Sequence, residues 1–170
     1  MTPSEKDLIN KLVQQIANKN MNAVGTLYEL MFRVLFCFVK NNCKDKNDVV
    51  DIINDTFVTI IEKANEIQYA NCYGWILSVA HNKARNHTRK FQKNNIEFNE
   101  AFMNCYSIDE AVEFEALLSK LDKGCRNIIY LKFYANLTNN EIAKILRISV
   151  STVKRRLKKS LKFLEGEVNE

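Results

Sequence analysis

An all-α fold is predicted from three features of this sequence. Apolar residues recur with helical spacing through most of its 170 residues. The chain has only 4 glycines and 1 proline, the residues that most often interrupt a helix. The alternation of apolar and polar residues that is typical of a strand is absent from the sequence. With 46% hydrophobic residues, the chain is long enough for one ordinary domain or two small ones.

Residues 1–93 are predicted to form a first helical domain. Ser4, with Asp7 three residues later, is a candidate cap for an opening helix. The pattern over residues 22–41 is apolar enough for a central core helix. Residues 45–63 follow, with the i, i+3, i+4, i+7 spacing of an amphipathic helix.

The helix predicted over residues 45–63 carries its acidic side chains largely off its apolar stripe. A solvated face whose acids suit the helix dipole is one interpretation. A docking surface for a basic partner is the other, and the residues alone leave both open. The polar positions concerned are Asp48, Asp51, Asn54, Asp55 and Glu62.

The next helical pattern, residues 73–90, is basic and has aromatic neighbours. Trp75 belongs to its apolar face. Basic residues interleaved with aromatic ones are typical of nucleic-acid surfaces. A core tryptophan on an ordinary cationic helix is the alternative interpretation. The basic positions are His81, Lys83, Arg85, His87, Arg89 and Lys90.

Residues 94–107 are predicted to be an acidic linker between two domains. Neither lysine nor arginine occurs between residues 94 and 119, and the first part of that span has no firm periodicity. A second helical domain is predicted over residues 108–170. It begins with helices over 109–120, where Ser107 and Glu110 form a candidate capping box, and over 122–135.

The second domain ends in a helix-turn-helix pattern. Thr138 and Glu141 form a capping box for a short helix, Ile148 fills the turn, and Ser149 caps a longer helix. In such units the second helix enters the major groove of DNA, where its N-terminal residues meet base edges. An inward apolar stripe leaves Ser151, Thr152, Lys154, Arg155, Lys158 and Lys159 for the outer surface.

The composition argues against several classes of protein. No glycine-rich phosphate loop, metal-ligand cluster or nucleophile–base pattern occurs in the sequence, so neither an enzyme nor a cofactor is predicted. The start is too polar for a signal peptide, and no apolar run approaches the ~20 residues of a membrane span. A cytoplasmic protein without membrane insertion is therefore expected. Five cysteines without a C-x-x-C pair predict reduced thiols.

Three segments carry a resemblance to a known family. D-V-V-D-I-I-N-D-T-F-V-T-I-I-E-K (48–63) is similar to D-x-E-D-L-V-Q-E-x-F-L-R-L-W-R-K. Y-G-W-I-L-S-V-A-H-N-K-A-R-N-H-T-R-K (73–90) is similar to F-x-x-W-L-x-x-I-A-x-N-x-x-x-D-x-x-R-R, and L-T-N-N-E-I-A-K-I-L-R-I-S-V-S-T-V-K-R-R-L-K-K-S (137–160) is similar to L-S-x-x-E-I-A-E-I-L-G-I-S-x-G-T-V-K-S-R-L-x-R-A. In this order they resemble the sigma factors of bacterial RNA polymerase, specifically the extracytoplasmic-function group.

The resemblance implies a partner for each surface. The first domain would dock on the β′ clamp of core RNA polymerase and recognise and open the minus-ten element of promoter DNA. The second would read the minus-thirty-five element, and the linker would thread the channel later used by RNA. An anti-sigma factor is a further possible partner. The implied docking residues are Asp48, Asp51, Ile52, Asn54, Asp55 and Phe57, and the implied minus-ten residues are Tyr73, Trp75, Asn82, Lys83, Arg85, Arg89 and Lys90.

Two other classes of function remain as alternatives. A free-standing helix-turn-helix regulator would use the second domain without polymerase, and a sigma-like decoy would act only through protein contacts. Two departures from the family pattern bear on local structure. Asp122 stands where the family usually has proline, and Arg147 stands where glycine is frequent.

Overall fold

The computed structural model describes residues 2–43, 45–67, 71–91 and 117–168. The chain divides into two compact units, Met1–Glu97 and Phe98–Glu170, and the division falls within the predicted linker. All regular elements in the described ranges are helical, so the predicted all-α fold is confirmed. The predicted linker itself lies outside the described residues.

The first unit is a bundle of four helices. They are α1 (Pro3–Ala17), α2 (Asn22–Lys40), α3 (Lys46–Lys63) and α4 (Cys72–Phe91), with a 3₁₀ turn at Ala64–Glu66 after α3. Each helix packs against the other three, so the bundle has a single core. The buried apolar side chains follow the helical spacing that the sequence predicts, as at Ile9, Leu12, Val13 and Ile16 of α1.

Helix α2 is the central core helix, as predicted. Leu27, Met31, Leu35 and Phe38 are completely buried along it. The helix is nevertheless long and apolar enough to cross a membrane, with a mean hydropathy of 1.4. The expectation that no segment would reach that length is therefore wrong. About 44% of that segment is buried within this structure, and its buried face packs on α1, α3 and α4.

The first helix begins earlier than the sequence suggested. Thr2, not Ser4, is its cap: the Thr2 hydroxyl accepts a hydrogen bond from the Glu5 amide at 3.2 Å, and the Glu5 carboxylate accepts one from the Thr2 amide at 2.6 Å. Pro3 suits the first helical position because it has no amide hydrogen to leave unsatisfied. Hydrogen bonds from Thr2 also lower the pKa of the Glu5 carboxyl.

The second unit contains α5 (Lys123–Ile129), α6 (Asn139–Leu146) and α7 (Val150–Val168). A π-helical segment, Tyr130–Tyr134, continues α5, so the helix predicted over 122–135 changes its winding part-way. The Ala135 amide donates to the Tyr130 carbonyl at 3.1 Å, which is the wider i to i−5 pattern. Most of the helix predicted over 109–120, with its Ser107 cap, lies outside the described residues.

A leucine-rich cluster holds α7 against the rest of the second unit. Leu118, Leu121, Cys125 and Ile129 are buried, and α7 packs its half-buried leucines on them. Full burial of one leucine side chain stabilises a fold by about 1.5–3 kcal/mol, and the half-buried leucines contribute less. The α7 leucines are Leu157, Leu161 and Leu164.

The cysteines correct one prediction. Cys37 is disulfide-bonded, although reduced thiols were expected. Spacing along the chain could not reveal this bond, because the fold decides which cysteines meet. Cys72 and Cys125 are buried free thiols. Burial raises the pKa of the Cys72 thiol to about 11, which keeps it protonated and unreactive at neutral pH.

Asp122 caps α5 in place of the proline that is usual in the family. Its carboxylate accepts a hydrogen bond from the Cys125 amide at 3.0 Å. Hydrogen bonds from the Cys125 thiol and amide hold the pKa of the Asp122 carboxyl below its usual range. Because this pKa is lower in the folded chain, the charged cap stabilises the fold fully above the ordinary aspartate range. That contribution is lost as the pH falls through the lower folded value.

We expect Asp122→Ala to lower the free energy of unfolding by about 1 kcal/mol at pH 7, because one amide at the start of α5 loses its acceptor. The difference from the wild type should shrink as the pH falls below about 4. Urea unfolding at pH 7 and pH 3 measures both. Asp122→Asn is the control, since it keeps an oxygen acceptor without the charge. An Asp122→Ala deficit that is equally large at both pH values would contradict the proposed role of the charge.

Candidate functional site

Helix α6, the first helix of the helix-turn-helix, has a defined cap at each end. Helix α6 begins with the predicted capping box: the Glu141 amide donates to the Thr138 hydroxyl at 3.3 Å, and the Thr138 amide donates to the Glu141 carboxylate at 2.8 Å. It ends at Arg147, whose backbone is left-handed (φ 55°, ψ 47°). The Ile148 amide reaches back to the Ala143 carbonyl at 3.0 Å, which completes a Schellman motif.

Three hydroxyl groups cluster where α7 begins. Ser149 caps the helix by accepting from the Thr152 amide at 3.1 Å, as the sequence predicts. Its oxygen also lies 3.2 Å from the Ser151 hydroxyl and 2.8 Å from the Thr152 hydroxyl. Hydroxyls and free amides at a helix N-terminus are groups that commonly bind phosphate.

The outer face of α7 is basic and open to solvent. Val153 is completely buried, and the leucines that follow it face the core cluster. The predicted DNA-contacting residues therefore share the other side of the helix, where all of them except the half-buried Thr152 are exposed. They are Ser151, Thr152, Lys154, Arg155, Lys158 and Lys159.

Arg156 differs from its basic neighbours on α7. Its side chain is half-buried, and a Cβ added to Gly124 would lie only 2.5 Å from its guanidinium. Its charge is also one of the influences that lower the pKa of Asp122. Arg156 thus packs against the start of α5, in the space that Gly124 leaves open. The sequence showed only a run of basic residues and did not separate this one.

Acidic α3 and basic α4 lie side by side in the first unit, and their charges pair across the boundary. Lys83 Nζ lies 4.0 Å from Asp55 Oδ2, and His87 Nε2 lies 3.4 Å from Asp48 Oδ1. Two predicted docking acids are therefore partly engaged by residues of the predicted DNA-binding helix. Asp51 is exposed on α3, with no hydrogen bond or ion pair within the described ranges.

Three predicted contact residues lie in the core instead of on a surface. Ile52 is 3% exposed, Phe57 is 4% exposed and Tyr73 is 1% exposed. The apolar stripes of α3 and α4 must face the bundle, and these residues belong to those stripes. Their part in any site is to hold a helix in place. Of the other predicted residues on these two helices, Trp75, Asn82 and Lys83 are half-buried and Asn54, Arg85 and Arg89 are exposed; the Lys90 side chain is outside the described part.

A row of aromatic rings along α2 borders the acidic helix. Phe57 contacts Tyr28 at 4.8 Å between ring centroids, and Phe32 and Phe36 extend the row at 5.3 Å and 5.8 Å. The Tyr28 hydroxyl donates to Asn54 Oδ1 at 3.3 Å. The row therefore packs the buried Phe57, a predicted docking residue, against α2. Its i, i+4, i+8 spacing was the signal in the sequence that could have revealed it.

Two asparagines hold the start of α4. Asn10 of α1 accepts from the Cys72 amide at 3.0 Å, and Asn71 accepts from the Gly74 amide at 3.0 Å. A Cβ at Gly74 would lie 2.9 Å from the Asn71 side chain, so this close cap requires glycine. These two hydrogen bonds therefore fix the position at which basic helix α4 begins within the bundle. Within the described ranges, no group of side chains could hold a metal ion.

Residues 111–164, which include the helix-turn-helix, match the family model described as sigma-70, region 4. This match shows a sigma-70 region 4 domain within the second unit. The matched region includes the leucines of the core cluster, helices α5 and α6, and most of α7. A comparison with curated proteins found no match to this chain.

Two solved structures share the fold of this chain over most of its length. CnrH, solved in complex with the cytosolic domain of CnrY, covers 95% of this chain and 97% of its own, with 22% identity and a TM-score of 0.69. The sigma factor RpoE of Bartonella quintana, solved with the anti-sigma factor NepR, covers 83% and 94%, with 20% identity and a TM-score of 0.64. At such identities the likeness is one of fold. It agrees with the resemblance to the extracytoplasmic-function group.

We expect Phe57→Ala to lower the free energy of unfolding by about 3–5 kcal/mol, because it leaves a cavity between α3 and the aromatic row of α2. Val58→Ala is the matched control: the next residue is 52% exposed, so its loss should cost less than about 0.5 kcal/mol. Urea unfolding measures both. Similar small effects of the two substitutions would show that Phe57 is not a core residue.

Proposed function

We propose that this chain binds core RNA polymerase and directs transcription from promoters that carry defined minus-ten and minus-thirty-five elements. The observation that carries the proposal is the presence, on one chain, of a sigma-70 region 4 domain and a separate bundle whose acidic helix adjoins a basic one. A DNA-binding regulator needs only the first of these. A protein that brings polymerase to DNA needs both.

Recognition of the minus-thirty-five element is assigned to α7. The exposed Arg155 and Lys159 stand one turn apart and have the reach to pair with guanine edges in a major groove. Ser151 and the free amides at the start of the helix would take a phosphate. Each phosphate contact adds roughly −0.9 to the slope of log affinity against log salt concentration.

Docking on the β′ clamp is assigned to the exposed edge of α3. Asp51 is the acid best placed for it, because the described residues supply it with no partner. Asp48 and Asp55 would contribute less charge to a partner, since His87 and Lys83 lie beside them. Complementary charge at such an interface speeds association and selects the partner.

Recognition and opening of the minus-ten element is assigned to α4. Arg85 and Arg89 are exposed and one turn apart, which suits contacts with successive phosphates. Asn82 is half-buried and would contribute to a pocket for a base that has left the stack. Tyr73 supports this helix from within the core.

An anti-sigma factor is proposed as a further partner, and the cytoplasm as the place of action. The RpoE structure contains an anti-sigma factor, and a chain of the same fold presents the same kind of helical surface. A free-standing regulator is the second candidate function, supported by the helix-turn-helix alone. It leaves the acidic edge of α3 without a role.

The test is transcription in vitro with the purified chain, bacterial core polymerase and a library of genomic fragments. Transcripts whose start sites share two spaced upstream motifs are expected. DNA binding by the chain alone, with no initiation in the presence of core polymerase, would support the free-standing regulator and contradict the proposal.

We expect Asp51→Lys to weaken binding to core polymerase by about tenfold or more, because it reverses an exposed charge at the proposed interface. Asp7→Lys makes the same charge change at an exposed position on α1 and is the control. Affinity is measured by fluorescence anisotropy of the labelled chain, and circular dichroism checks that both variants fold. Equal affinities of Asp51→Lys and the control would remove α3 from the docking surface.

A further inference from the structure

Arg147 occupies a backbone conformation that glycine adopts at much lower cost. Its φ of 55° lies in the left-handed region, where the Cβ of an L-residue crowds the backbone. The Schellman bonds fix that conformation: the Arg147 amide donates to the Lys144 carbonyl at 3.4 Å, and the Ile148 amide to that of Ala143 at 3.0 Å. The chain keeps arginine at a position where glycine would strain the turn less.

The rest of the folded chain does not account for this arginine. Its side chain is exposed and makes no hydrogen bond or ion pair with any residue in the described ranges. Backbone strain at an exposed position is a starting point for a functional hypothesis, and no hydrogen bond or ion pair of the Arg147 side chain within the described ranges offsets it. The position itself suggests the function: Arg147 lies two residues before Ser149, which caps the DNA-facing helix.

We propose that Arg147 is a phosphate-contacting residue of the helix-turn-helix, anchoring the turn to the DNA backbone next to the groove that α7 enters. The inference rests on the proposed DNA-binding function of this unit. The turn of such a motif lies beside the backbone when the second helix occupies the major groove. The left-handed cap holds the arginine Cα at that edge, and the guanidinium can pair with a phosphate through two parallel hydrogen bonds.

Lys19 provides a matched case elsewhere in the same chain. It is also an exposed basic residue with a positive φ, 65°, at the end of a helix. Its amide donates to the Ile16 carbonyl at 2.9 Å, and the Asn20 amide to that of Gln15 at 3.0 Å, which is the same pair of Schellman bonds. The two positions share their backbone strain and their charge. They differ in that only Arg147 adjoins the DNA-facing helix.

The experiment compares four variants of the full chain: Arg147→Gly, Arg147→Lys, Lys19→Gly and Lys158→Ala. Binding to a fluorescent 30-base-pair duplex of random sequence is titrated at several salt concentrations, and the melting temperature of each variant is measured. Random duplex reports backbone contacts, which carry the salt dependence. Lys158→Ala removes an exposed cation from α7 that is not assigned to a base edge, and it is the positive control for loss of a backbone contact.

Arg147→Gly should raise the melting temperature by a few degrees while it weakens DNA binding. Loss of one phosphate contact makes the salt slope shallower by about 0.9. If the two affinities are equal at 1 M salt, the variant should therefore bind roughly eightfold more weakly than the wild type at 0.1 M salt. Arg147→Lys should keep the slope, since the charge remains. Lys19→Gly should raise the melting temperature similarly and leave DNA binding unchanged.

The outcomes separate this inference from the proposed function. A wild-type slope in Arg147→Gly, with a reduced slope in Lys158→Ala, would overturn the role of Arg147 and leave the DNA-binding unit intact. A lower melting temperature in Arg147→Gly with unchanged binding would show that the arginine serves the end of α6 instead. No salt-dependent DNA binding by the wild-type chain would contradict the proposed function itself.

Discussion

The packing of α7 on the leucine-rich cluster of the second unit is the constraint on which its functional surface depends. Val153 and the three leucines that follow it at helical spacing must face inward. An α-helix has one direction for each residue, so this apolar stripe determines where the basic side chains lie. The rotation of the DNA-facing helix is therefore set by hydrophobic burial, and its charges contribute little to holding it.

The same logic operates in the first unit with a different result. Burial of Ile52 and Phe57 orients α3, and burial of Tyr73 and Ile76 orients α4. The two helices then bring an acidic and a basic edge together, so that Asp55 meets Lys83 and Asp48 meets His87. Such partly exposed pairs stabilise the fold by only about 0–1 kcal/mol. The pairs also bring the acidic edge of α3 close to the basic edge of α4, so a charged partner that binds one edge changes the electrostatic potential at the other.

The sequence predicted the elements whose signals are local. The capping box at Thr138, the Ser149 cap and the central helix α2 all depend on residues within a few positions of one another. The disulfide at Cys37 and the half-buried Arg156 beside Gly124 depend on tertiary contacts, and no local pattern contains them. The π-helical segment was predicted as a helix, but its wider winding was not. Residues Tyr130–Tyr134 have the sequence pattern of an ordinary α-helix.

Three predicted contact residues are buried because they belong to patterns that serve two purposes. Ile52, Phe57 and Tyr73 lie in the segments that resemble the sigma family, but they also belong to apolar stripes. A motif shared by a family records both the residues that touch a partner and the residues that hold them in place. Exposure separates the two groups, and exposure is a property of the fold. Arg147 is the opposite case, because it departs from the family pattern and its side chain is exposed. Its left-handed backbone, which favours glycine, is the feature that identifies it.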